Sequence, residues 1–175
     1  MKTSIALIGF MGTGKTAVAK VLTQKLGKEF IELDAIIVKK AGKSIPEIFH
    51  QDGEVCFREL EIEAAREVAN KRNAVIACGG GVVLNAINID RLKKESVIIY
   101  LTASPAVILK RTSGDKNGRP LLDVTDRAQQ IKTMLKIRQP FYNQAADIKV
   151  NTSGLTIEAV ADKILELLKN YESHD

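Results

Sequence analysis

Aromatic residues are scarce in this chain of 175 residues: they make up 5%, and none is tryptophan. Proteins that grip single-stranded nucleic acid stack bases on exposed rings, so the scarcity argues against such a surface. The lysines point the same way, because Lys39-Lys40, Lys71-Arg72 and Lys93-Lys94 are interspersed with acids along helical stretches rather than gathered in one basic run. No nucleic-acid partner is expected, and the net charge of +5 suits a site for polyanionic ligands instead. Cysteine is equally sparse. Cys56 and Cys78 stand apart from each other and from any histidine at ligand spacing, which excludes a disulfide framework or a zinc site and leaves two free thiols in a reducing cytosol. His50 and His174 form no constellation either. Apolar runs of the roughly 20 residues that span a bilayer are absent, and the chain enters its first strand with no room for a signal or transit peptide. A soluble cytoplasmic protein with no membrane partner is the expectation.

What is present is enough for one well-packed unit. Hydrophobic residues make up 45% and charged residues 27%, with no low-complexity tract, so residues 1–175 read as a single domain and a monomer. Its most informative stretch is Gly9-Phe10-Met11-Gly12-Thr13-Gly14-Lys15-Thr16, a complete GxxxxGK[ST] loop between the apolar run Ile5-Ala6-Leu7-Ile8 and a helical pattern that begins Ala17-Val18-Ala19. Strand, glycine turn and helix in that order aim backbone N–H groups and a helix N-terminus at one point. That point suits the oxygens of a nucleoside triphosphate, with Gly12, Thr13, Gly14 and Ala17 around them, Lys15 as a point charge and Thr16 as a hydroxyl for Mg2+.

Short β-branched runs recur between helical patterns at Glu29–Leu33, Ala74–Cys78, Val97–Leu101 and Ile148–Val150. The helical patterns run over Lys15–Leu26, Ser44–His50, Gly53–Asn70, Pro105–Arg111, Asp126–Asn143 and Thr156–Lys169. Alternation of this kind predicts an α/β fold: a three-layer α/β/α P-loop domain on a five-stranded parallel sheet. Ligands bind such sheets beyond the carboxyl ends of the strands, so loops starting at Gly9, Asp34, Gly79 and Thr102 are expected to meet in one crevice. Asp34 also reads as the N-cap of a helix starting at Ala35. The polar, glycine-punctuated stretch Thr112–Pro120 reads as a mobile loop bracketed by Arg111 and Arg119.

Beyond the phosphate loop stand Glu32-Leu33-Asp34, Gly53-Glu54-Val55-Cys56-Phe57-Arg58-Glu59-Leu60-Glu61, Gly79-Gly80-Gly81, Arg119-Pro120-Leu121-Leu122 and Arg138-Gln139-Pro140-Phe141-Tyr142. In this order and at this spacing the chain resembles the shikimate kinase family from Ala6 to about Val150, and the combination of FRxxE, GGG, RPLL and RxPxY is far more specific than any one of them. The resemblance implies transfer of the ATP γ-phosphoryl group to the 3-hydroxyl of shikimate, in chorismate and aromatic amino-acid biosynthesis.

It also implies roles. Arg58 and Arg138 match carboxylate-binding arginines; Asp34 matches the acid that contacts the reacting hydroxyl; Gly79, Gly80 and Gly81 follow a buried strand and let backbone N–H groups approach a ligand closely, and the resemblance assigns Gly80 to the substrate. Arg119 matches an arginine of a lid over residues 112–124 that reaches the phosphates, and Arg111 a residue beside the adenine. Substrate binding is implied for the region 34–61. The metal is implied at Thr16 and Glu32, with one departure: the family usually carries aspartate where this chain has the longer Glu32. Two rivals differ in what they need. A nucleoside-monophosphate or gluconate-type kinase would share the fold and differ in acceptor. A nucleotide-dependent switch or binding module would show slow hydrolysis and a partner protein, and its guanine form would need a DxxG element after a strand and an NKxD reader, neither of which the chain has.

Overall fold

The computed structural model describes residues 2–114 and 119–173. Residues 115–118 of the expected lid, together with His174, lie outside the described residues. The strands are β1 (Ser4–Ile8), β2 (Glu29–Glu32), β3 (Ala74–Ala77), β4 (Ser96–Thr102) and β5 (Ile148–Asn151). They form one parallel sheet in the order β2-β3-β1-β4-β5. Composition explains that order. β1 and β3 are buried at every position and β4 at all but its last, as strands covered on both faces must be. β2 and β5, which carry Glu29, Glu32, Lys149 and Asn151, lie at the edges.

The helices are α1 (Lys15–Leu26), α2 (Leu33–Ala41), α3 (Ile45–Gln51), α4 (Gly53–Val68), α5 (Ala86–Leu92), α6 (Pro105–Ser113), α7 (Arg127–Ala145) and α8 (Ile157–Glu172). α1 and α8 cover one face of the sheet, burying Val18, Leu22, Val160 and Ile164 against Ile5, Leu7, Val75 and Ile99. The opposite face, through Ala6, Ile8, Ile76, Ile98 and Tyr100, meets residues of α2, α3, α4, α5, α6 and α7. Successive residues of one strand thus feed two cores, the period-2 alternation of a pleated strand. The chain leaves β1 toward β2 and β3 on one side and reaches β4 on the other. The switch point therefore falls at the carboxyl end of β1, where the phosphate loop begins.

Three expectations change. α2 begins at Leu33 with Glu32 at its N-cap, so Asp34 lies inside the first turn and does not cap a helix starting at Ala35. α6 runs on through Thr112 and Ser113, where both hydroxyls donate back to the carbonyl of Leu109 and that of Thr112 also to Ile108. α5 was not expected: its seven residues are too short for a clear period, and Asn85 starts it by accepting from the N–H of Ile87.

Candidate active site

The phosphate loop is shaped by left-handed glycines: φ is 147° at Gly9, 79° at Gly12 and 94° at Gly14. A β-carbon on Gly9 would stand 2.3 Å from the carbonyl oxygen of Leu101, and one on Gly12 would stand 2.9 Å from the methyl of Thr112. The loop therefore lies tight on β4 and α6, a fit open only to glycine. Lys15 bends back over the loop and donates to the carbonyls of Gly9 (2.8 Å) and Phe10 (3.0 Å). Burial pushes its ammonium down from 10.5 to about 8, opposed by the negative charge of Asp34. Thr16 donates to Glu32 Oε1 at 2.7 Å. Thr13 differs from the other loop residues: its side chain is buried and donates to the Phe10 carbonyl at 2.8 Å, so it braces the loop from within.

From this loop a cleft of about 810 Å³ runs toward α2, α3 and α4. Gly12, Gly14, Lys15, Thr16, Ala17, Glu32 and Asp34 line it, as do Arg58, Gly79, Gly80, Gly81, Arg111, Arg119 and Arg138. The loop starting at Thr102 does not. Its carbonyl accepts from the N–H (2.8 Å) and hydroxyl (3.0 Å) of Thr152, which ties β4 to the turn after β5. Arg111 reaches the cleft from α6 and donates to the carbonyls of Gly12 (3.2 Å) and Thr152 (3.1 Å) and to the Thr152 hydroxyl (3.1 Å).

At the far end, charged groups close around the three glycines. The Arg58 guanidinium occupies the space over Gly81, where a β-carbon would come within 2.2 Å of Nη1. It is held by Glu54 Oε1 on one side and by Glu61 Oε1 on the other, each at 3.0 Å. Arg138 is 5% exposed, lies 5.8 Å from the Phe10 ring centroid and leaves Nη1 without a hydrogen-bond partner. Asp34 Oδ1 and Glu61 Oε2 are likewise buried and unsatisfied. Burial pushes both carboxyls above their ordinary range, against the pull of Lys15 on Asp34 and of Arg58 on Glu61. Buried polar atoms without partners are uncommon in native proteins. Three of them stand around one cleft, two acceptors and one donor, which a ligand carrying both donors and an acceptor would satisfy. Tyr142 OH donates to the Gly80 carbonyl, and its ring stacks on Tyr100 with centroids 4.8 Å apart; burial raises its phenol.

The family model described as "Shikimate kinase" matches residues 11–169. The chain belongs to the shikimate kinase family. It is 47% identical over 169 residues to a protein named "Shikimate kinase" from Thermodesulfovibrio yellowstonii, covering 97% of this chain and 95% of that one. Identity to the protein of that name from Pelotomaculum thermopropionicum is 45% over 168 residues, 96% of each chain. Among solved structures, shikimate kinase from Acinetobacter baumannii in complex with shikimate superposes with a TM-score of 0.93 at 38% identity, covering 98% of this chain and 95% of that one. Membership of the shikimate kinase family makes the chain an ATP-using P-loop kinase of the shikimate pathway.

Several lining residues carried no site role in the sequence reading. Glu61 closes the FRxxE string, yet no role attaches to it there. Val38, Ile45, Pro46, Phe49 and Phe57 form an apolar wall, and in sequence they look like ordinary core residues. Among the described residues no group of three or more His, Cys, Asp or Glu could hold a metal ion by itself, and no helix is long and apolar enough to cross a membrane.

Proposed function

We propose that the cleft joins ATP to shikimate, with the γ-phosphoryl group passing to the 3-hydroxyl to give shikimate 3-phosphate and ADP. The observation that carries this reading is the meeting, in one cleft, of the phosphate loop with the unsatisfied trio Asp34 Oδ1, Glu61 Oε2 and Arg138 Nη1. Arg58 and Arg138 would take the carboxylate of the substrate, Arg138 through the buried Nη1 that has no hydrogen-bond partner. The N–H groups of Gly79, Gly80 and Gly81 are free of β-carbons and can approach the same ligand closely. Asp34 would accept from the reacting hydroxyl.

In the reaction the hydroxyl oxygen forms the new P–O bond, the bond between the γ-phosphorus and the bridging oxygen breaks, and ADP leaves with the electron pair. The hydroxyl proton passes to the Asp34 carboxylate. A carboxyl raised by burial is the better base for that step, though a loose transition state asks more for orientation than for base strength. Lys15 would turn from the Gly9 and Phe10 carbonyls to the β- and γ-phosphates. Arg119, beside them on the lid, would add charge and help exclude water. Arg111, already bonded to Gly12 and Thr152, would flank the adenine.

The residues present also fit Mg2+. Thr16 and Glu32 put a hydroxyl and a carboxylate 2.7 Å apart beside the phosphate cradle, which are the hard oxygen donors the ion takes in addition to water and phosphate. When bound, the ion neutralises charge on the phosphates. A cytosolic enzyme acting as a monomer belongs to the same reading, and the free thiols of Cys56 and Cys78 are consistent with a reducing compartment.

The test is ADP release in a coupled assay with shikimate, gluconate or a nucleoside monophosphate as acceptor. Shikimate is expected to raise release far above the background hydrolysis. A preference for a nucleoside monophosphate would end this reading.

A further inference from the structure

Arg127 opens α7 directly after its N-cap Asp126, whose carboxylate accepts from the N–H of Gln129 at 2.9 Å, and Arg127 itself is a cation where the helix dipole favours an anion. Its guanidinium is engaged elsewhere. Nη1 donates to the carbonyl of Thr112 at 3.1 Å and Nε to the carbonyl of Leu122 at 3.1 Å. Thr112 belongs to the last turn of α6, whose carbonyls lack helical partners and present the negative end of that helix. Leu122 ends the 3-10 turn Pro120–Leu122, and its N–H donates to the Arg119 carbonyl at 2.7 Å. Gln130, one turn along α7, supports the same 3-10 turn by donating to the Leu121 carbonyl at 3.4 Å. At the other stem Thr112 is buried, with its methyl against Gly12 of the phosphate loop. One planar fork thus joins the stem before the Arg119 region to the stem after it, and through Thr112 both are registered on the phosphate loop.

We propose that Arg127 is a positioning residue for Arg119: by holding the carbonyls of Thr112 and Leu122 together it fixes the turn that directs Arg119 toward the phosphates. Arg127 does not line the cleft, and it acts by limiting where Arg119 can be when phosphoryl transfer occurs. The inference rests on the reading of Arg119 as a residue of the phosphate site. A lysine could meet one carbonyl but lacks the fork that spans both.

The experiment is a double-mutant cycle on the full chain with Arg119→Ala, Arg127→Ala and the pair, supplemented by Arg127→Lys. Each variant is measured for kcat, for the KM of ATP and of shikimate, and for thermal midpoint. Arg127→Ala is expected to lower kcat about tenfold with the shikimate KM within about twofold of wild type. In the Arg119→Ala background the same change is expected to cost no more than about twofold further, because its target is gone. Independent losses that multiply in the pair would overturn the proposal. Wild-type turnover in Arg127→Ala beside an impaired Arg119→Ala overturns it alone, whereas wild-type turnover in Arg119→Ala overturns the reading of Arg119 and this inference with it. Arg127→Lys keeps the cycle readable if the alanine variant does not fold: a lowered kcat that disappears as a difference in the Arg119→Ala background supports the proposal, and wild-type turnover defeats it.

Discussion

Asp34 and Glu61 face each other across Gly79. A β-carbon at Gly79 would stand 2.9 Å from Glu61 Oε2 and 3.2 Å from Asp34 Oδ1. Glu61 has little room to withdraw, because its other oxygen is bonded to Arg58 at 3.0 Å. The glycine therefore keeps two buried carboxylates in place without a side chain between them, at the point where the acceptor hydroxyls are expected.

Gly79→Ala isolates that relationship, since Gly79 is not among the left-handed glycines and alanine meets only a lack of space. The expected result is a fall in kcat/KM for shikimate of about tenfold or more, with the KM for ATP within about twofold. Steady-state kinetics with each substrate varied in turn check it. Unchanged kcat/KM would mean that the two carboxylates yield freely.

A stability effect is expected at Asp34. Burial raises its carboxyl above the ordinary 3.8, so between these values the native state binds more protons than the unfolded chain. Stability from this group is complete below the unfolded value and is lost as pH rises through the folded one. Asp34→Asn has no charge to bury. Its melting temperature should exceed that of the wild type at neutral pH, the difference shrinking as pH falls toward about 4, while kcat falls about 100-fold or more. Thermal melts across this pH range decide it, and a destabilised Asn variant at neutral pH would contradict the burial argument.

Lys15 gives a proton count. Because its ammonium is lowered to about 8, about half of the free protein carries a neutral Lys15 at that pH, and phosphate oxygens would restore the charge. ATP binding at pH 8 should therefore take up as much as about half a proton, and near pH 6 this uptake should vanish. Titration calorimetry in two buffers of different ionisation enthalpy measures it. Lys15→Met should abolish the uptake, and buffer-independent heats at pH 8 in the wild type would refute the assignment.

The sheet was legible because its central strands are buried on both faces and so read as unbroken apolar runs, such as Ile5-Ala6-Leu7-Ile8. α5 was not, since seven residues hold too few turns to show a period. The phosphate loop is a local motif and could be read locally. Arg58, Arg138 and Asp34 come from separate elements, and only the combined motifs linked them. Glu61 stayed hidden for a physical reason: its burial depends on the packing of α4 against the Gly79 turn, while in sequence an acid three residues after Arg58 is an ordinary helix-surface ion pair. The contacts of Arg127 were equally invisible, because they run to backbone carbonyls, which have no side-chain signature.

Arg138 tests the acceptor side directly. It is a buried cation on α7, 5% exposed, with Nη1 lacking a protein partner, and a bound carboxylate would complete it with a charge-assisted bond worth about 1.5–3 kcal/mol. Arg138→Met keeps most of the stem against Phe10 and removes only the fork. The shikimate KM should then rise about 100-fold with the KM for ATP within about twofold. Arg138→Lys should recover little, as a point charge cannot reproduce the two-pronged geometry. Unchanged shikimate affinity in Arg138→Met would show that the acid of the substrate lies elsewhere, and with it the orientation of the acceptor in the cleft.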